Sequence, residues 1–326
     1  MTAATVTPAP QVASSNSHLA AKNGRPSAVE VGIDTWRIVR YLDDDRELRK
    51  ACVRVGPAGI LPEKVAGHRV GVLPAHRMLW AEGHPAVEGL APPATLHEAE
   101  ERLLDALADA GLPVGRAGGI GRLDQTVTLE FDDPREGLCF MAGIAAVDVP
   151  RVKPAVYGRP PETVYFLAER SGRKLARVYD KGAESNTAPP GRLVRLENQS
   201  RFGKEARMSS ETISSSQVSE SLFKARFAPV AASCDGLTAA TLPLLAERVA
   251  DKVADGKMTY RQAERLIGFL VLKGQKAPRY APRTERRRMA ELREHGLVLA
   301  DPLTDPIEVD LADGIEEALA AWTRDA

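Results

Sequence analysis

The chain has 326 residues with 44 basic and 44 acidic side chains, so its formal net charge is zero. This balance excludes a uniformly basic nucleic-acid coat protein, although it allows local basic blocks. The sequence contains no run of 18 apolar residues that would predict a membrane span. It also has no apolar stretch after a basic start that would predict a secretory signal. Three widely spaced cysteines, Cys52, Cys139 and Cys234, exclude a disulfide framework or a CxxC zinc site. We therefore expect a soluble cytoplasmic protein with no membrane partner.

The first half of the chain predicts a tail, a strand, a helix and a second strand. Residues 1–28 are rich in Ala, Ser, Thr and Pro, which is typical of a disordered tail. Alternating apolar residues in 29–42 predict a strand. Helical spacing in 95–111, with Thr95 as N-cap, predicts a helix. The glycine-rich stretch 115–121 reads as a loop, and period-two alternation predicts a strand in 121–133.

The second half predicts a hairpin and then helices. Two β-rich runs around a short turn predict a hairpin in 161–184, and 192–202 reads as the next strand. From Thr238 onward the spacing is helical, with Thr259 capping one helix. We expect an α+β protein with an antiparallel β-sheet core, flanking helices and a helical C-terminal region. The predicted units are the tail 1–28, a catalytic domain 29–228, a helical region 229–300 that could bind DNA, and an acidic tail 301–326 with a short helix.

The zero net charge hides two basic blocks. Residues 151–226 hold 15 Lys and Arg against 8 Asp and Glu, and residues 273–295 hold 8 against 3. Residues 301–326 hold eight acidic side chains and one basic side chain. Such blocks are most often solvated surfaces, but their place beside tyrosine-bearing strands and a helix pair favours binding to DNA phosphates.

One face of the predicted sheet gathers side chains suited to phosphodiester chemistry. Arg177 and Lys181 lie two residues on either side of Tyr179, so on a strand all three share a face. Glu197 and Asp124 have matching parity on two other strands. A tyrosine needs a nearby cation or metal to become a nucleophile, and carboxylates can hold Mg²⁺. A half-buried packing tyrosine beside structural ion pairs is the alternative reading.

The hairpin ETVYFLAERSGRKLARVYDKGAE and the strand RLVRLENQSR resemble the replication initiation factor family. The upstream triplet Arg122-Leu123-Asp124 is similar to that family's RxD strand. These proteins are rolling-circle initiators of plasmids and filamentous phages that lack a His-hydrophobic-His metal motif. The resemblance extends over residues 29–300 and is densest at 161–201. It implies an endonuclease that nicks and rejoins one DNA strand at an origin, using Mg²⁺ or Mn²⁺.

The resemblance also implies a role for each matching residue. Tyr179 would be the nucleophile that ends in a 5′-phosphotyrosyl link, and Tyr165 is the competing candidate. Asp124 and Glu197 would bind the metal. The scissile phosphate and the DNA would be contacted by Arg177, Lys181, Arg195, Arg201, Arg283, Arg286, Arg287 and Arg288. The family often has a second Asp where this chain has Thr128, so a DNA-binding protein that nicks poorly stays an alternative.

The implied partners are duplex and single-stranded origin DNA, a second copy of the chain in a homodimer, and a helicase of the superfamily-one type. A non-catalytic, sequence-specific DNA-binding regulator is the rival function. The six histidines include no HxH pair, which disfavours the relaxases that use one, and no His-x-x-Arg pattern of a tyrosine recombinase. The sequence also contains no HExxH and no GxxxxGK[ST] motif.

Overall fold

The computed structural model describes residues 25–86, 95–168, 174–214, 216–274, 280–301, 303 and 305–324. It has the predicted α+β fold, with an antiparallel sheet, flanking helices and a helical C-terminal region. The strands of the large sheet are β1 Ser27–Tyr41, β2 Arg69–Leu73, β3 Met78–Gly83, β4 Arg116–Glu130, β5 Val152–Tyr157, β6 Thr163–Ala168, β7 Lys174–Asp180 and β8 Leu193–Arg201. Three short strands form a second sheet: β9 Thr238–Ala240, β10 Leu297–Leu299 and β11 Glu308–Asp310.

The large sheet has the strand order β2-β3-β1-β4-β8-β7-β6-β5, and every neighbouring pair is antiparallel. The small sheet has the order β10-β9-β11. In the large sheet, β4, β8 and β7 are therefore consecutive neighbours at its centre. This order places the strands that carry Asp124, Glu197 and Tyr179 side by side.

Ten α-helices lie within the described residues: α1 Asp45–Val55, α2 Leu96–Asp109, α3 Pro134–Ala146, α4 Lys181–Ser185, α5 Ser210–Ser214, α6 Ser216–Cys234, α7 Leu242–Ala254, α8 Tyr260–Gly274, α9 Pro282–Glu294 and α10 Leu311–Arg324. None of these helices combines the length and the apolar character needed to cross a membrane. Asp44 and Thr95 cap the starts of α1 and α2 by accepting backbone N–H groups.

The helices bury one face of the large sheet. Leu123, Val127 and Leu129 of β4 project into two hydrophobic clusters that also contain apolar residues of α2, α3, α6 and α10. A buried polar pair anchors α6 to this face, since Asn198 donates to Gln125 at 2.9 Å and Gln125 donates to the Ser219 carbonyl at 2.7 Å. The alternate residues of β4 therefore lie on the other face of the sheet, which we call the polar face. They are Arg122, Asp124, Thr126, Thr128 and Glu130.

Several elements agree with the sequence predictions. The predicted strands 29–42 and 121–133 correspond to β1 and β4, and 192–202 corresponds to β8. The helix predicted for 95–111 is α2. The predicted hairpin is formed by β6 and β7, and its turn lies outside the described residues. Most of the predicted tail 1–28 also lies outside them, while Ser27 and Ala28 belong to β1.

The loop predicted for 115–121 is wrong, because β4 begins at Arg116 and pairs with β1 along this stretch. Close approach of the two strands explains Gly118, where a Cβ would lie 2.8 Å from the Val39 carbonyl oxygen. The prediction also missed α3. Its residues are buried on almost every side, so they show no amphipathic stripe that a helical period could reveal.

The C-terminal elements are tied to the sheet rather than lying apart from it. Leu311, Ile315 and Trp322 of α10 are buried in the same hydrophobic cluster as the strands, and α10 packs against α6 and β1. A third cluster joins α7, α8 and α9 with β10. The acidic segment 301–326 thus contributes a core helix, whereas the predicted boundary at residue 228 stays a prediction.

A buried histidine locks the β1–β2 end of the sheet. The Trp36 indole donates to Nε2 of His68 at 3.1 Å, and Nδ1 of His68 lies 2.9 Å from the Ala66 carbonyl. Nδ1 must carry the proton because a carbonyl can only accept. Nε2 accepts the hydrogen bond from Trp36 and therefore carries no proton, so the ring is neutral. Burial lowers the pKa of His68 below its ordinary value of 6.5.

We predict that the free energy of unfolding decreases as the pH falls below about 6.5. His68 is then protonated in the unfolded chain, whereas burial disfavours its protonation in the folded protein. Chemical denaturation of wild type and His68→Gln between about pH 7.5 and pH 5 measures this effect. The glutamine oxygen can still accept from Trp36, so the variant should lose stability less steeply. His97→Gln, at an exposed site, should match wild type. Equal slopes in wild type and His68→Gln would refute the assignment.

Candidate active site

Strand register brings five predicted site residues onto the polar face. Tyr179 pairs with Arg195, and Arg177 pairs with Glu197 across β7 and β8. On the other side of β8, Glu197 pairs with Thr126 and Gln199 pairs with Asp124 of β4. Tyr179 and Glu197 are therefore diagonal neighbours, as are Glu197 and Asp124. Diagonal residues on one sheet face lie about 7–8 Å apart, within reach of long side chains.

Arg177 connects the tyrosine to the carboxylate. Its guanidinium carbon lies 4.2 Å from the centre of the Tyr179 ring, and its Nη2 donates to Glu197 Oε2 at 2.6 Å. Arg177 also hydrogen-bonds the Tyr165 side chain from β6. Its buried Nε–H has no acceptor among the described residues. One cation thus contacts both candidate nucleophiles and one candidate metal ligand.

Arg122 engages the second carboxylate in the same way. Its Nε donates to Asp124 Oδ1 at 3.0 Å, and its Nη2 binds the other carboxylate oxygen. Nη1 of Arg122 reaches Glu82 of β3 at 3.1 Å, and Glu82 is also bound by Arg37 of β1. The polar face therefore carries an alternating series of carboxylates and guanidinium groups.

Arg195, predicted to contact DNA, is itself buried in this network. Its Nε donates to the Thr128 hydroxyl at 2.8 Å, and its Nη2 binds Glu30. Nη1 lies 3.5 Å from Asp34, which stands at an irregularity of the β1–β4 pairing between Ile33 and Thr35. Much of the charge on Arg195 is thus neutralised by β1 carboxylates.

Burial dominates the titration of the site. It raises the pKa of Asp124 and of Glu197, although Arg122 and Arg177 oppose the rise. It also raises the pKa of Tyr179, whose side chain is 3% exposed; Arg177 opposes this rise and Glu197 adds to it. Tyr179 is accordingly a neutral phenol near pH 7. Any nucleophilic role requires a group that removes its proton or stabilises the phenolate.

Lys181 lies outside the strand on which the sequence prediction placed it. Because β7 ends at Asp180, Lys181 begins α4 and pairs with Glu184 at 2.9 Å. The preceding Asp180 is buried and caps this turn. Its carboxylate accepts the Ala183 N–H at 3.0 Å and the Gly191 N–H at 2.6 Å. Asp180 therefore stabilises the connection between α4 and β8 through these two hydrogen bonds.

The remaining predicted DNA contacts lie in two places. Arg201 is exposed at the end of β8, opposite Arg122 of β4. Arg283, Arg286 and Arg287 are exposed near the start of α9, and Arg288 pairs with Glu291 at 2.7 Å. The helix α9 packs against α8 and β10, so these arginines form a surface separate from the β7–β8–β4 network.

Sequence reasoning missed several charged residues. Asp34 was not predicted as a site residue. Alternation along a strand cannot assign a face to a residue at an irregularity of the pairing. Arg122 could have been found, since it lies two residues before Asp124 and therefore shares its face. Missing α1 also hid a basic surface. The exposed residues on one side of that helix are Arg46, Arg49, Lys50, Val53 and Arg54.

The described residues include no cluster of three or more His, Cys, Asp or Glu side chains arranged to hold a metal ion. Asp124 and Glu197 nevertheless offer hard oxygen donors on one face, and the charge of Asp34 acts on both. Hard oxygen donors are what Mg²⁺ and Mn²⁺ prefer. A divalent ion would have to compete with Arg122 and Arg177 for these oxygens.

No protein-family model matches this chain, and neither a curated protein nor a solved structure does. The resemblance to replication initiation factors therefore depends on the motif residues alone.

We predict that Asp180→Ala destabilises the fold by about 1–3 kcal/mol, because two backbone N–H groups lose their acceptor. Asp180→Asn keeps one acceptor oxygen and should lose less. Urea denaturation measures both, with exposed Asp255→Ala as the control expected to behave as wild type. A wild-type unfolding free energy for Asp180→Ala would contradict the capping role.

Proposed function

We propose that this protein nicks and rejoins one DNA strand at a replication origin, with Tyr179 as the nucleophile. The observation that carries the proposal is the register of β7, β8 and β4. It puts a tyrosine, two carboxylates and three arginines on neighbouring positions of one sheet face. Phosphoryl transfer needs little more than a positioned nucleophile and cations that stabilise the developing charge.

In the proposed reaction, the Tyr179 oxygen attacks the scissile phosphorus and loses its proton. A tyrosyl–phosphate bond forms at the 5′ side, the bond to the 3′ oxygen breaks, and that oxygen leaves as a 3′-hydroxyl after taking a proton. Rejoining is the reverse attack by the 3′-hydroxyl. Arg177 would bind the phosphate, because it already stacks on the tyrosine and its Nε–H has no acceptor among the described residues.

Asp124 and Glu197 are the proposed ligands of Mg²⁺ or Mn²⁺. When bound, such an ion would stabilise negative charge on the phosphate and on the attacking oxygen. Before that, Arg122 and Arg177 hold the two carboxylates in place and offset their charge. Release of these guanidinium groups would free Arg177 for the phosphate. Lys181, on the adjoining turn, adds positive charge at the end of β7.

The exposed basic surfaces suit the duplex that flanks the nick. Arg201, the α9 arginines Arg283, Arg286, Arg287 and Arg288, and the basic side of α1 can contact phosphates without reading bases. The family resemblance implies a homodimer, a helicase of the superfamily-one type as partner, and action in the cytoplasm on plasmid, phage or integrated DNA. The domain that carries the reaction would be residues 29–228.

Two structural observations favour a non-catalytic DNA-binding regulator instead. Tyr179 is almost fully buried beneath Arg177, and each candidate metal ligand is already ion-paired. Thr128 also stands where the family often has an Asp. The same face would then be a stabilised charge network, and DNA would be held by the outer basic surfaces alone.

The decisive variant is Tyr179→Phe, which keeps the ring under Arg177 and removes only the hydroxyl. We expect wild type with Mg²⁺ to convert a supercoiled plasmid carrying the DNA that flanks the encoding gene into open circles. Tyr179→Phe should be at least about 1,000-fold slower, as expected when a nucleophile is lost. Tyr260→Phe is the control, because Tyr260 is an exposed tyrosine on α8 outside the polar face, and it should nick at nearly the wild-type rate.

Gel analysis of the nicked and shifted DNA separates the two functions. Equal nicking by wild type and Tyr179→Phe would contradict the nucleophile assignment. A plasmid that wild type shifts but never cuts would favour the regulator.

We predict that nicking stops in EDTA and that Asp124→Asn raises the Mg²⁺ concentration for half-maximal nicking at least about tenfold, because a charged ligand is lost. A metal titration of the nicking rate measures this. Glu130→Gln is the control, since Glu130 lies on the same strand but binds Arg192. Full activity in EDTA would contradict metal dependence.

A further inference from the structure

An aromatic pair, the exposed Tyr157 and the half-buried Tyr165, lies on the polar face near the proposed nucleophile. Tyr157 ends the outermost strand β5 and is 59% exposed. Its ring meets that of Tyr165 edge to face, with the centres 5.6 Å apart and the planes at 89°. Tyr165 in turn pairs with Arg177 across β6 and β7.

The register relates this pair to Tyr179. Tyr157 pairs with Thr163, and Thr163 pairs with Tyr179, so the three residues form one row across β5, β6 and β7. Tyr157 is two strands from Tyr179, which corresponds to roughly 10 Å at the usual strand spacing. The row thus runs from the proposed reacting hydroxyl to an exposed aromatic ring at the sheet edge.

The charge around this edge suits a polyanion. Lys153 is exposed on β5 and shares the face of Tyr157, four residues away. Arg177 binds Tyr165 from the other side. Aromatic rings flanked by cations are the usual means of holding single-stranded nucleic acid, because the rings stack on bases and the cations contact the backbone.

We propose that Tyr157 and Tyr165 form a stacking platform for the unpaired bases of single-stranded DNA next to the scissile phosphate. This inference extends the proposed nicking function and assigns Tyr165 a positioning role rather than a nucleophilic one. The exposed ring of Tyr157 stacks on a base, and Tyr165 supports that ring and orients Arg177. Stacking is tolerant of sequence, so the platform holds the strand without reading it.

The test measures binding directly, without cleavage. Fluorescence anisotropy with a labelled 12-nucleotide oligo-dT in EDTA reports affinity for single-stranded DNA. We expect Tyr157→Ala to bind about 5-fold to 150-fold more weakly than wild type, the range for loss of one base stack. Tyr157→Phe and Tyr157→Trp keep a ring and should bind within about twofold of wild type. Tyr260→Ala removes another exposed tyrosine, on α8, and should change nothing.

The outcomes separate this inference from the nicking function. Wild-type affinity in Tyr157→Ala, equal losses in Tyr157→Ala and Tyr157→Phe, or no binding of oligo-dT by wild type would each overturn the platform. Weaker binding in Tyr157→Ala alone, with near wild-type binding in Tyr157→Phe, Tyr157→Trp and Tyr260→Ala, supports it. That pattern in a protein that never nicks DNA would leave the platform standing while the nicking function fails.

Discussion

The antiparallel register of β4, β8 and β7 is the constraint on which the rest of the site depends. A slip of one residue would turn Glu197 and Arg195 toward the apolar helices and expose Leu196. Asn198 and Gln125 oppose such a slip, because they satisfy each other and backbone carbonyls of α6 within the helix-covered face. The buried core on one side therefore determines which charges meet on the other.

The polar face keeps its charges only because they are paired. An unpaired buried carboxylate or guanidinium would cost several kcal/mol, so each depends on its partner. Each partner can be replaced by another group of the same charge sign. A phosphate can replace the carboxylate on Arg177, and a divalent cation can replace the arginine on Asp124. A network with these properties stabilises the sheet, and in the proposed function it would offer matching charges to DNA and to a metal ion. The aromatic pair of Tyr165 and Tyr157 continues this face toward the sheet edge.

Period-two alternation made much of this fold predictable. In β4 and β8 it revealed both the core residues and the shared face of Asp124 and Glu197, and helical spacing revealed α2 and α8. It failed where burial or backbone geometry overrides the pattern. The helix α3 is buried on almost every side, Asp34 stands at a register irregularity, and Gly118 of β4 is required by the close approach of β1. Exposure of Tyr157 also depends on strand order, because β5 is the outermost strand and its ring has a neighbouring strand on one side only.

The proposed reaction is tested most directly by identifying the amino acid that becomes linked to DNA. Single-stranded oligonucleotides tiled across the DNA that flanks the gene, with a bridging sulfur at the 3′ leaving position, would trap the covalent adduct. Proteolysis and mass spectrometry then locate the modified residue. Our account predicts a 5′-phosphotyrosyl nucleotide on Tyr179. An adduct on Tyr165 or any other residue, or no adduct with oligonucleotides that the protein binds, would contradict it.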